Sequence, residues 1–480
     1  MNASLFGEKF AQRLALPRSL VLTMTAVIAL AASCAQYRPA PISASVQAEA
    51  LEERTLDDPR LQTFIAASLG QENATNDTSW DLAKLTFAAL YYHPEIEIAR
   101  SKLQLARAAA ITADQIPNPT ASADIGVSPW AISPAISFLI ETFGRREYRT
   151  AQAGALVEAA REDLTTAAWQ VRGHVRLALL NLWAAEQRSA FLQQRLSLQD
   201  QLVQLLERRL EEGEASALDV TRERINRNQV NLALRDAERQ GADARAQLAT
   251  AVGTPAQSLA GRSFSFDAFA DAELSFVDTA DLRRQALTGR SDVQGLLAEY
   301  RAAESAVQLE IAKQIPNVTL GPGYTYDSGR DQYELTLATA AELPVFNQNQ
   351  GPIAESVARR QSVAAQLISL QAQIIGAIDI AFASYRTTTA TVETADALVA
   401  DARRRNEQIS RSFQAGEADR PTLVAAEIEL AIAELSRFEA EGQQRQAIGA
   451  LEDALQRPLF EPEAKFFLPE KPLARPESMP

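Results

Sequence analysis

Few side chains in this sequence could form a metal centre, a thiol site or a catalytic set. The 480-residue chain contains one cysteine, Cys34, and two histidines, His93 and His174. Structural zinc and iron–sulfur sites need several Cys or His ligands, and a disulfide needs two cysteines. No nucleophile with a partner base and no phosphate-binding glycine motif occurs at a recognised spacing. The sequence therefore predicts no enzyme, no cofactor and no metal site, and both histidines are predicted to be structural.

The sequence around Cys34 indicates export. A mostly apolar run, Leu20 to Ala32, is too short to span a bilayer, which needs about 20 apolar residues. Basic residues precede it at Lys9, Arg13 and Arg18. The run ends in Leu-Ala-Ala-Ser-Cys, which resembles the lipid-attachment motif of bacterial lipoproteins, and the next residue, Ala35, favours an outer-membrane destination. We predict a signal peptide over residues 1–33 and lipidation of Cys34, with a plain secretory signal as the alternative.

The charge balance argues against nucleic acid as a partner. The chain has 61 acidic and 47 basic residues, which gives a formal net charge of −14. A protein that coats nucleic acid neutralises phosphates with clustered Lys and Arg side chains. An acidic chain of this kind has no general basic surface for that purpose.

Two sequence landmarks recur in the same order. Gln115–Asn118 reappears as Gln314–Asn317, and Gly213–Ala215 reappears as Gly416–Ala418. Two landmarks at nearly the same offset indicate two homologous repeats. Each repeat is predicted to contain a medium helix, two strands, a very long helix, a tight turn and a medium helix. The predicted segments are an N-terminal extended segment at 34–80, repeat 1 at 81–283, repeat 2 at 284–458 and a proline-rich tail at 459–480.

The long helices give the strongest periodic signal. From Val171, steps of four and three residues reach mainly apolar positions as far as Leu210, which is the pattern of a coiled-coil seam. The pattern resumes from Val230 to Leu248, so the two helices are predicted to pack as an antiparallel pair. The first long helix is predicted over 145–212, about 100 Å at ~1.5 Å per residue, and the second over 351–415.

The turns after the long helices have matching chemistry. Gly213 and Gly416 stand where each helix should end, and glycine suits the left-handed position that follows a helix. Ser216 and Asp419 are N-cap residue types, and Asp219 is predicted to complete a capping box with Ser216. Each repeat is therefore predicted to turn at a helix-turn-helix tip.

Strand signals lie between the medium and long helices of each repeat. Residues 318–326 and 333–337 alternate apolar with polar or small residues on either side of a polar turn, and 121–143 is a weaker counterpart. Four strands cannot close a barrel, and in lipid an open sheet edge leaves backbone groups unpaired. Three copies would supply twelve strands, an even number in the range of outer-membrane barrels. The alternative is a small soluble sheet that caps the coiled coils.

Over residues 80–458 the sequence resembles the TolC-type outer-membrane efflux proteins, and it is most similar to the heavy-metal (cobalt-zinc-cadmium) resistance branch. The stretches that carry this resemblance are Ala88–Leu90, His93–Ile96, the two Ile-Pro strand entries, Phe143–Arg146, Gly213–Val220 and Leu343–Gly351. The implied fold is mainly α with a small β part, in which tandem helical hairpins and four strands per chain close as a trimer. That trimer would combine a twelve-stranded outer-membrane β-barrel with a periplasmic α-helical barrel.

The resemblance implies a passive exit duct in the outer membrane of a Gram-negative bacterium. The expected partners are two further copies of the chain, outer-membrane lipid, a periplasmic adaptor and an inner-membrane pump. Heavy-metal cations or drugs are the expected cargo, and an acidic lumen would favour cations. A type I secretion duct of the same family and an envelope coiled-coil lipoprotein without a pore are the alternatives. An envelope hydrolase is disfavoured because two histidines leave little room for a catalytic set.

The resemblance also suggests roles for three groups of residues. The acidic residues that close the entrance in some relatives match Thr422 and Ala425 here, so that gate is not preserved. The predicted adaptor-binding tips are Gly213, Glu214, Ala215, Ser216, Asp219, Gly416, Glu417, Ala418 and Asp419. The candidate gate residues are Asp419, Arg420 and Glu427. Tyr324, Tyr326 and Tyr333 are candidates for a membrane-interface belt, with sheet packing as the alternative.

Overall fold

A computed structural model describes residues 37, 39–69, 79–127, 130–269 and 279–459. The predicted signal peptide, Cys34 and the tail beyond residue 459 lie outside these residues. The described residues up to 50 belong to one unit, and those from 51 to 459 belong to a second. A short helix, α1 (Ala44–Glu52), begins in the first unit and has no buried residue. Everything described below belongs to the second unit.

The second unit contains the two predicted repeats, with the elements in the predicted order. Repeat 1 has helices α3 (Leu82–Tyr92), α4 (Pro94–Asp114), α5 (Arg145–Glu211) and α6 (Ala217–Val252), with strands β1 (Thr120–Val127) and β2 (Trp130–Ile140) between α4 and α5. Repeat 2 has helices α7 (Thr279–Gly289), α8 (Ser291–Ala312), α9 (Gln350–Gln414) and α10 (Arg420–Leu455), with strands β3 (Val318–Asp327) and β4 (Gln332–Ala341) between α8 and α9. The predicted medium helix before the strands is two helices in each repeat. Helix α7 crosses the predicted boundary between residues 283 and 284, and its equivalence to α3 moves the start of repeat 2 to α7.

The prediction of an extended segment over residues 34–80 was wrong for much of its length. Besides α1, this segment contains helix α2 (Pro59–Leu69). Leu61 and Phe64 of α2 are buried in the same core as α3, because apolar side chains three and four residues apart share one face of a helix. Arg54 fastens the segment further, since its Nη1 donates to the backbone oxygens of Tyr92 and Gly253, each at 2.8 Å.

The four strands form one antiparallel sheet in the order β1-β2-β3-β4. Tyr324 pairs with Leu335 and Tyr326 with Tyr333, which places aromatic and aliphatic side chains on one face. Thr325 pairs with Glu334 on the opposite face, which is polar. Strands β1 and β4 are the two edges, and all their residues are exposed. The predicted two-faced hairpins are present, and within the part of the chain that the structure describes the sheet is open at both edges.

The helices form a layer in which α5 and α9 run the full length and the shorter helices pack beside them. Helix α5 packs against α4 and α8 towards the sheet and against α6 and α10 away from it. Helix α9 packs against α8, α10 and the short helix α7, all on one side of the layer. The order across the layer is therefore α4, α5, α8, α9 near the sheet and α6, α5, α10, α9 near the tips. Helix α9 forms one edge of this layer, and α4 and α6 form the other.

The predicted coiled-coil seam is confirmed. Val171, Val175 and Leu182 of α5 are almost completely buried, and so are Val230 and Leu248 of α6. The two helices pack antiparallel as the sequence periodicity requires. The seam is less tightly covered near the tip, where Leu210 is exposed.

Both edges of the helical layer expose aliphatic side chains. Helix α9 contains the one described stretch that is long and apolar enough to cross a membrane by length and composition, and only 17% of that stretch is buried. The exposed aliphatic residues at the α9 edge include Ile368, Ile380 and Leu398, and those at the other edge include Ile98, Leu105, Ile111, Leu218, Ile225 and Leu232. Large aliphatic surfaces of this kind mark sites of association.

Candidate functional site: the paired helical tips

The first tip ends α5 with a hydrogen-bond pattern that requires glycine. The Gly213 backbone nitrogen donates to Leu210 O at 3.1 Å, and the Glu214 nitrogen donates to Arg209 O at 2.7 Å. These two bonds form a Schellman motif, in which the residue after the helix adopts the left-handed conformation. Gly213 has φ 77°, where a side chain would be strained.

The second tip repeats this geometry at the end of α9. The Gly416 nitrogen donates to Phe413 O at 3.1 Å, and the Glu417 nitrogen donates to Ser412 O at 2.8 Å. Gly416 has φ 80°. The two tips are therefore structural equivalents, as the recurring Gly-Glu-Ala sequence predicts.

The residues that begin the following helices are caps, with one departure from the prediction. The Ser216 hydroxyl accepts from the Asp219 nitrogen at 3.2 Å, and the Asp419 carboxylate accepts from the Thr422 nitrogen at 3.0 Å. The predicted capping box is incomplete, because the Asp219 carboxylate accepts from the Ser216 hydroxyl at 2.7 Å. An aspartate side chain is shorter than the glutamate that normally reaches back to the N-cap backbone nitrogen.

The two tips lie side by side and are joined by an ion pair. Arg209 Nη1 lies 2.6 Å from Asp419 Oδ2, and Arg209 Nε lies 3.7 Å from the Glu214 carboxylate. Beneath this pair, Val424 and Leu202 pack in a small apolar cluster between α10 and α5. The paired tips, residues 213–219 and 416–422, therefore form one continuous polar surface on a fixed apolar base.

The candidate gate residues have different environments. Asp419 is already engaged within its own chain, and hydrogen bonds from Thr422 lower the pKa of its carboxyl, with a further contribution from Arg209. Arg420 lies over the Phe413 ring at 5.8 Å from the centroid. Glu427 lies half-buried on α10, two turns further along. The three residues share the start of α10, and only Asp419 bridges the two repeats.

The candidate membrane-interface tyrosines form one cluster at the turn end of the sheet. The Tyr333 ring centroid lies 5.5 Å from that of Tyr324 and 4.9 Å from that of Tyr326. Trp130, which the sequence analysis missed, joins the cluster at 5.9 Å from Tyr326. Its partner lies in the other repeat, so only the strand register brings the two rings together.

The two histidines lie in different environments. The His93 side chain caps α4 by accepting from the Glu95 nitrogen at 3.3 Å, and burial lowers the pKa of its imidazole. His174 lies exposed on α5. Among the described residues, no group of three or more His, Cys, Asp and Glu side chains could hold a metal ion.

A buried ion-pair cluster joins the two repeats between α5 and α10, and the sequence analysis missed it. Arg172 and Arg176 lie 3.1 and 3.3 Å from the Glu452 carboxylate, and all three side chains are buried. Burial raises the pKa of the neighbouring Asp453 carboxyl. Arg172 and Glu452 are 280 residues apart in the sequence. No local sequence pattern could therefore reveal their contact.

Comparison with known proteins agrees with this geometry. Residues 88–254 match the family model of the outer membrane efflux proteins. Over these residues the chain is similar to outer membrane efflux proteins. The matched residues run from α3 through the first tip to the end of α6, so they include one complete strand pair and one complete long hairpin.

Two curated relatives and one solved structure are similar to this chain. The cobalt-zinc-cadmium resistance protein CzcC of Cupriavidus metallidurans is 24% identical over 274 residues, which is 56% of this chain and 64% of CzcC. The pyoverdine export outer membrane protein OpmQ of Pseudomonas putida is 28% identical over 222 residues, which is 44% of this chain and 46% of OpmQ. The chain thus spans about half to two thirds of the curated relatives that it matches.

The outer-membrane channel OprN superimposes with a TM-score of 0.65 over 88% of this chain and 98% of OprN, at 20% sequence identity. At that identity the likeness establishes the fold. The predicted fold of one chain, mainly helical with a small four-stranded antiparallel sheet, is confirmed.

Proposed function

We propose that this chain is an outer membrane efflux protein, three copies of which form the exit duct of a tripartite efflux system. The single observation that carries the proposal is that the chain has open edges in both layers. Among the described strands, β1 and β4 each pair with one neighbour, and aliphatic side chains lie exposed on α9 and on α4 and α6. The two edges of each layer differ, so one edge of a copy can pack against the other edge of the next copy. A closed ring of copies would then cover every edge.

The sheet has the two-sided character of a barrel wall. One face presents Ile132, Tyr324 and Leu335 to the membrane. The other presents a polar row to the lumen, in which Thr325 donates to Ser133 at 3.1 Å. Asp124 pairs with Ser133 and Glu334 pairs with Thr325, so an acid stands at each end of the row. All charges in the four strands are acidic. Such a lumen favours cations over anions.

The paired tips are the proposed adaptor-binding surface. They form the end of the helical layer opposite the sheet, and their backbone geometry is the same in both repeats. Three copies would present six equivalent tips, to which a repeating adaptor hairpin can bind. Substitution of Ser216 and Asp219, which keep their backbone in place through a cap, should weaken adaptor cross-linking in cells without changing the mass of the complex.

The proposed gate is the group of Asp419, Arg420 and Glu427 at the start of α10. The ion pair between Asp419 and Arg209 ties the second tip to the first, so its loss would release α10 to move away from α5. Conductance of Asp419→Asn and Arg420→Gln variants tests this role. Unchanged conductance and unchanged drug leakage in both variants would exclude these residues as a constriction.

The named relatives differ in cargo. CzcC is a cobalt-zinc-cadmium resistance protein and OpmQ is a pyoverdine export protein. We propose heavy-metal cations or drugs as the cargo of this chain, selected by an inner-membrane pump. Cellular accumulation of zinc, cobalt, cadmium and drugs after deletion of the gene separates these cargoes. A type I secretion duct would instead show retention of a protein or peptide.

The proposed location is the outer membrane of a Gram-negative bacterium, with Cys34 as the lipid-attachment site and the helical layer in the periplasm. A Cys34→Ser variant tests lipidation through loss of labelling by a fatty-acid analogue. The Tyr324, Tyr326 and Tyr333 cluster is the proposed aromatic contact with the membrane interface, because aromatic rings are favoured at that depth.

Single-channel conductance in a planar lipid bilayer is the test of the duct. The proposal predicts stable channels with a preference for potassium over chloride. The competing function, an envelope coiled-coil lipoprotein without a pore, predicts a protein that is released from membranes once Cys34 is replaced and that gives no channels. That outcome would exclude the duct.

A further inference from the structure

The sequence Gln-Ile-Pro-Asn occurs twice, and its two copies have different surroundings. Each copy connects a helix to the strand that follows it: residues 115–118 join α4 to β1, and residues 314–317 join α8 to β3. The second copy lies in the middle of the chain, and its Ile315, Pro316 and Asn317 are partly buried. The first copy lies at an edge, and its residues are exposed, with Ile116 at 68%.

The second copy is covered by the connection between β2 and α5. The Thr142 nitrogen donates to Asn317 Oδ1 at 3.3 Å, and the Thr142 hydroxyl donates to Pro316 O at 2.9 Å. The Arg145 guanidinium also donates to Ile315 O. The strand-to-helix connection of repeat 1 therefore packs on the helix-to-strand connection of repeat 2.

Within the described residues, no strand-to-helix connection covers the first copy in this way; its contact is with α5, where Arg149 Nη2 donates to Gln115 O at 3.2 Å. Among the described residues, the Asn118 side chain makes no hydrogen bond, whereas its equivalent Asn317 does. Both copies have the sequence Gln-Ile-Pro-Asn. Only the second copy is covered by a described strand-to-helix connection of its own chain.

The connection between β4 and α9 lies exposed at the opposite edge of the sheet. Its Leu343 is 74% exposed and its Phe346 is completely exposed, with Val345 between them also exposed. Its polar residues are held by the chain, since Asn349 Nδ2 donates to Glu310 O at 2.7 Å and Gln314 donates to Gln348 O at 2.9 Å. The connection is therefore anchored at its far end and presents an apolar segment, Leu343–Phe346.

The internal duplication indicates which residues cover Leu343–Phe346. Inside the chain, the strand-to-helix connection of repeat 1 contacts the helix-to-strand connection of repeat 2. In a closed ring, the strand-to-helix connection of repeat 2 must therefore contact the helix-to-strand connection of repeat 1 in the next copy. We propose that Leu343–Phe346 of one copy packs on residues 115–118 of the neighbouring copy. Antiparallel pairing of β4 with the neighbour's β1 brings these segments together, because β4 ends and β1 begins at the same rim of the sheet.

This contact rests on the proposed trimer and adds a specific interlock to it. Strand pairing alone would leave the register of the two edges dependent on backbone hydrogen bonds, which any pairing of two strands supplies. An apolar segment that meets Ile116 and Pro117 of the neighbour fixes one register. The connection between β4 and α9 is four residues longer than the equivalent connection between β2 and α5, and the extra length allows it to reach the neighbouring copy.

Disulfide trapping tests the contact. A full-length chain with Ile116→Cys and Phe346→Cys is oxidised in outer membranes and analysed on a denaturing gel without reductant. The proposal predicts covalent dimers and trimers that disappear on reduction. Each single variant and the unchanged chain, which retains Cys34, should give none. A control that combines Ile116→Cys with Leu335→Cys, a residue exposed in the middle of β4, should also give none.

The mass of the detergent-extracted complex separates the two possible failures. A complex of three chains without the cross-link, also when Leu343→Cys replaces Phe346→Cys, would overturn the proposed contact and leave the duct intact. A single chain in the extracted protein would overturn the proposed function itself.

A double-mutant cycle gives a second measurement that does not depend on thiol geometry. Phe346→Ser and Ile116→Ser should each lower the temperature at which the trimer separates, and the double variant should lower it by less than the sum. Phe143→Ser, at the exposed phenylalanine of the equivalent connection in repeat 1, is the matched control and should show no coupling to Ile116→Ser. Additive effects of Phe346→Ser and Ile116→Ser would contradict the contact.

Discussion

Helices α5 and α9 occupy equivalent places in the two repeats and have nearly the same length, yet their burial differs. Helix α5 has 67 residues, of which 19 are buried, whereas α9 has 65 residues, of which 6 are buried. Helix α5 has neighbours on both sides within the chain, and α9 has neighbours on one side. The same duplicated element is therefore a core helix in one repeat and an edge helix in the other.

This difference separates two roles of apolar side chains. On α5 they hold one chain together, as the buried Leu182 and Val175 do. On α9 many are exposed, as Ile368 and Ile380 are. A helix with a large exposed apolar surface is unlike the surface helix of a monomer. The comparison predicts that substitutions on α5 damage folding and that matched substitutions on the outer side of α9 damage assembly.

The largest effect is expected at the buried ion pair that links α5 to α10. Glu452→Gln removes the carboxylate that lies between Arg172 and Arg176, and loss of one partner of a buried pair costs about 3–5 kcal/mol. Thermal unfolding followed by circular dichroism measures the loss. The control on α9 is Asp401→Asn, because Asp401 and Arg404 are both largely exposed and such a pair contributes less than about 1 kcal/mol. Equal effects of the two variants would contradict the account.

A second pair of variants lies within α9 itself. Ile378 is completely buried and Ile380 is 73% exposed in one chain. Ile378→Ala should destabilise the fold by about 2–5 kcal/mol. Ile380→Ser should leave the helical content unchanged and shift the complex from three chains towards one. Circular dichroism and sizing in detergent measure both quantities on each variant, and a loss of fold in Ile380→Ser would show that the exposed face serves the monomer.

The tips should respond alike, because the two long helices end in the same way. Gly213→Ala and Gly416→Ala place a side chain on a left-handed residue, which costs about 1–2 kcal/mol. Gly442→Ala, in the middle of α10 with nothing within 4 Å of the added atom, should stabilise the helix slightly. The thermal midpoints of the three variants test this order. Clearly unequal losses at the two tips would show that their matching hydrogen bonds are not equivalent in the assembly.

The smallest effect is expected at the ion pair between the tips. Arg209→Ala removes a partly exposed pair with Asp419, which is worth less than about 1 kcal/mol. The pKa of the Asp419 carboxyl is lowered in the folded chain, so its stabilising contribution is complete above the unfolded value of about 3.9 and is lost as the pH falls through the folded value. The difference in thermal midpoint between the original chain and the variant should therefore stay constant from pH 8 to pH 5. A difference that shrinks within this range would contradict the assignment.

Features that depend on local patterns could be predicted from the sequence. The seam from Val171, the glycines that end α5 and α9, and the alternation in β3 and β4 each depend on neighbours a few residues away. The long helices were predicted to within one residue of their observed bounds. The recurring motifs revealed the duplication because each marks a turn or a strand entry.

Features that depend on distant residues could not be predicted. Arg172 meets Glu452, and Trp130 meets Tyr326, only after the two repeats have packed together. Helix α2 was missed because eleven residues give too short a periodic signal between the polar stretches around it. The tip residues were placed correctly as turns and caps, but the ion pair from Arg209 to Asp419 joins two repeats and has no signature in either.

In the proposed trimer, both edges of the chain are covered by other copies of the same chain. The most direct measurement is the native mass of the complex extracted from outer membranes in mild detergent. The account predicts a protein mass of three chains, with each full-length chain at 52.3 kDa before removal of any signal peptide. A stable, folded single chain, with its β1, β4 and α9 edges open to solvent or detergent, would contradict it.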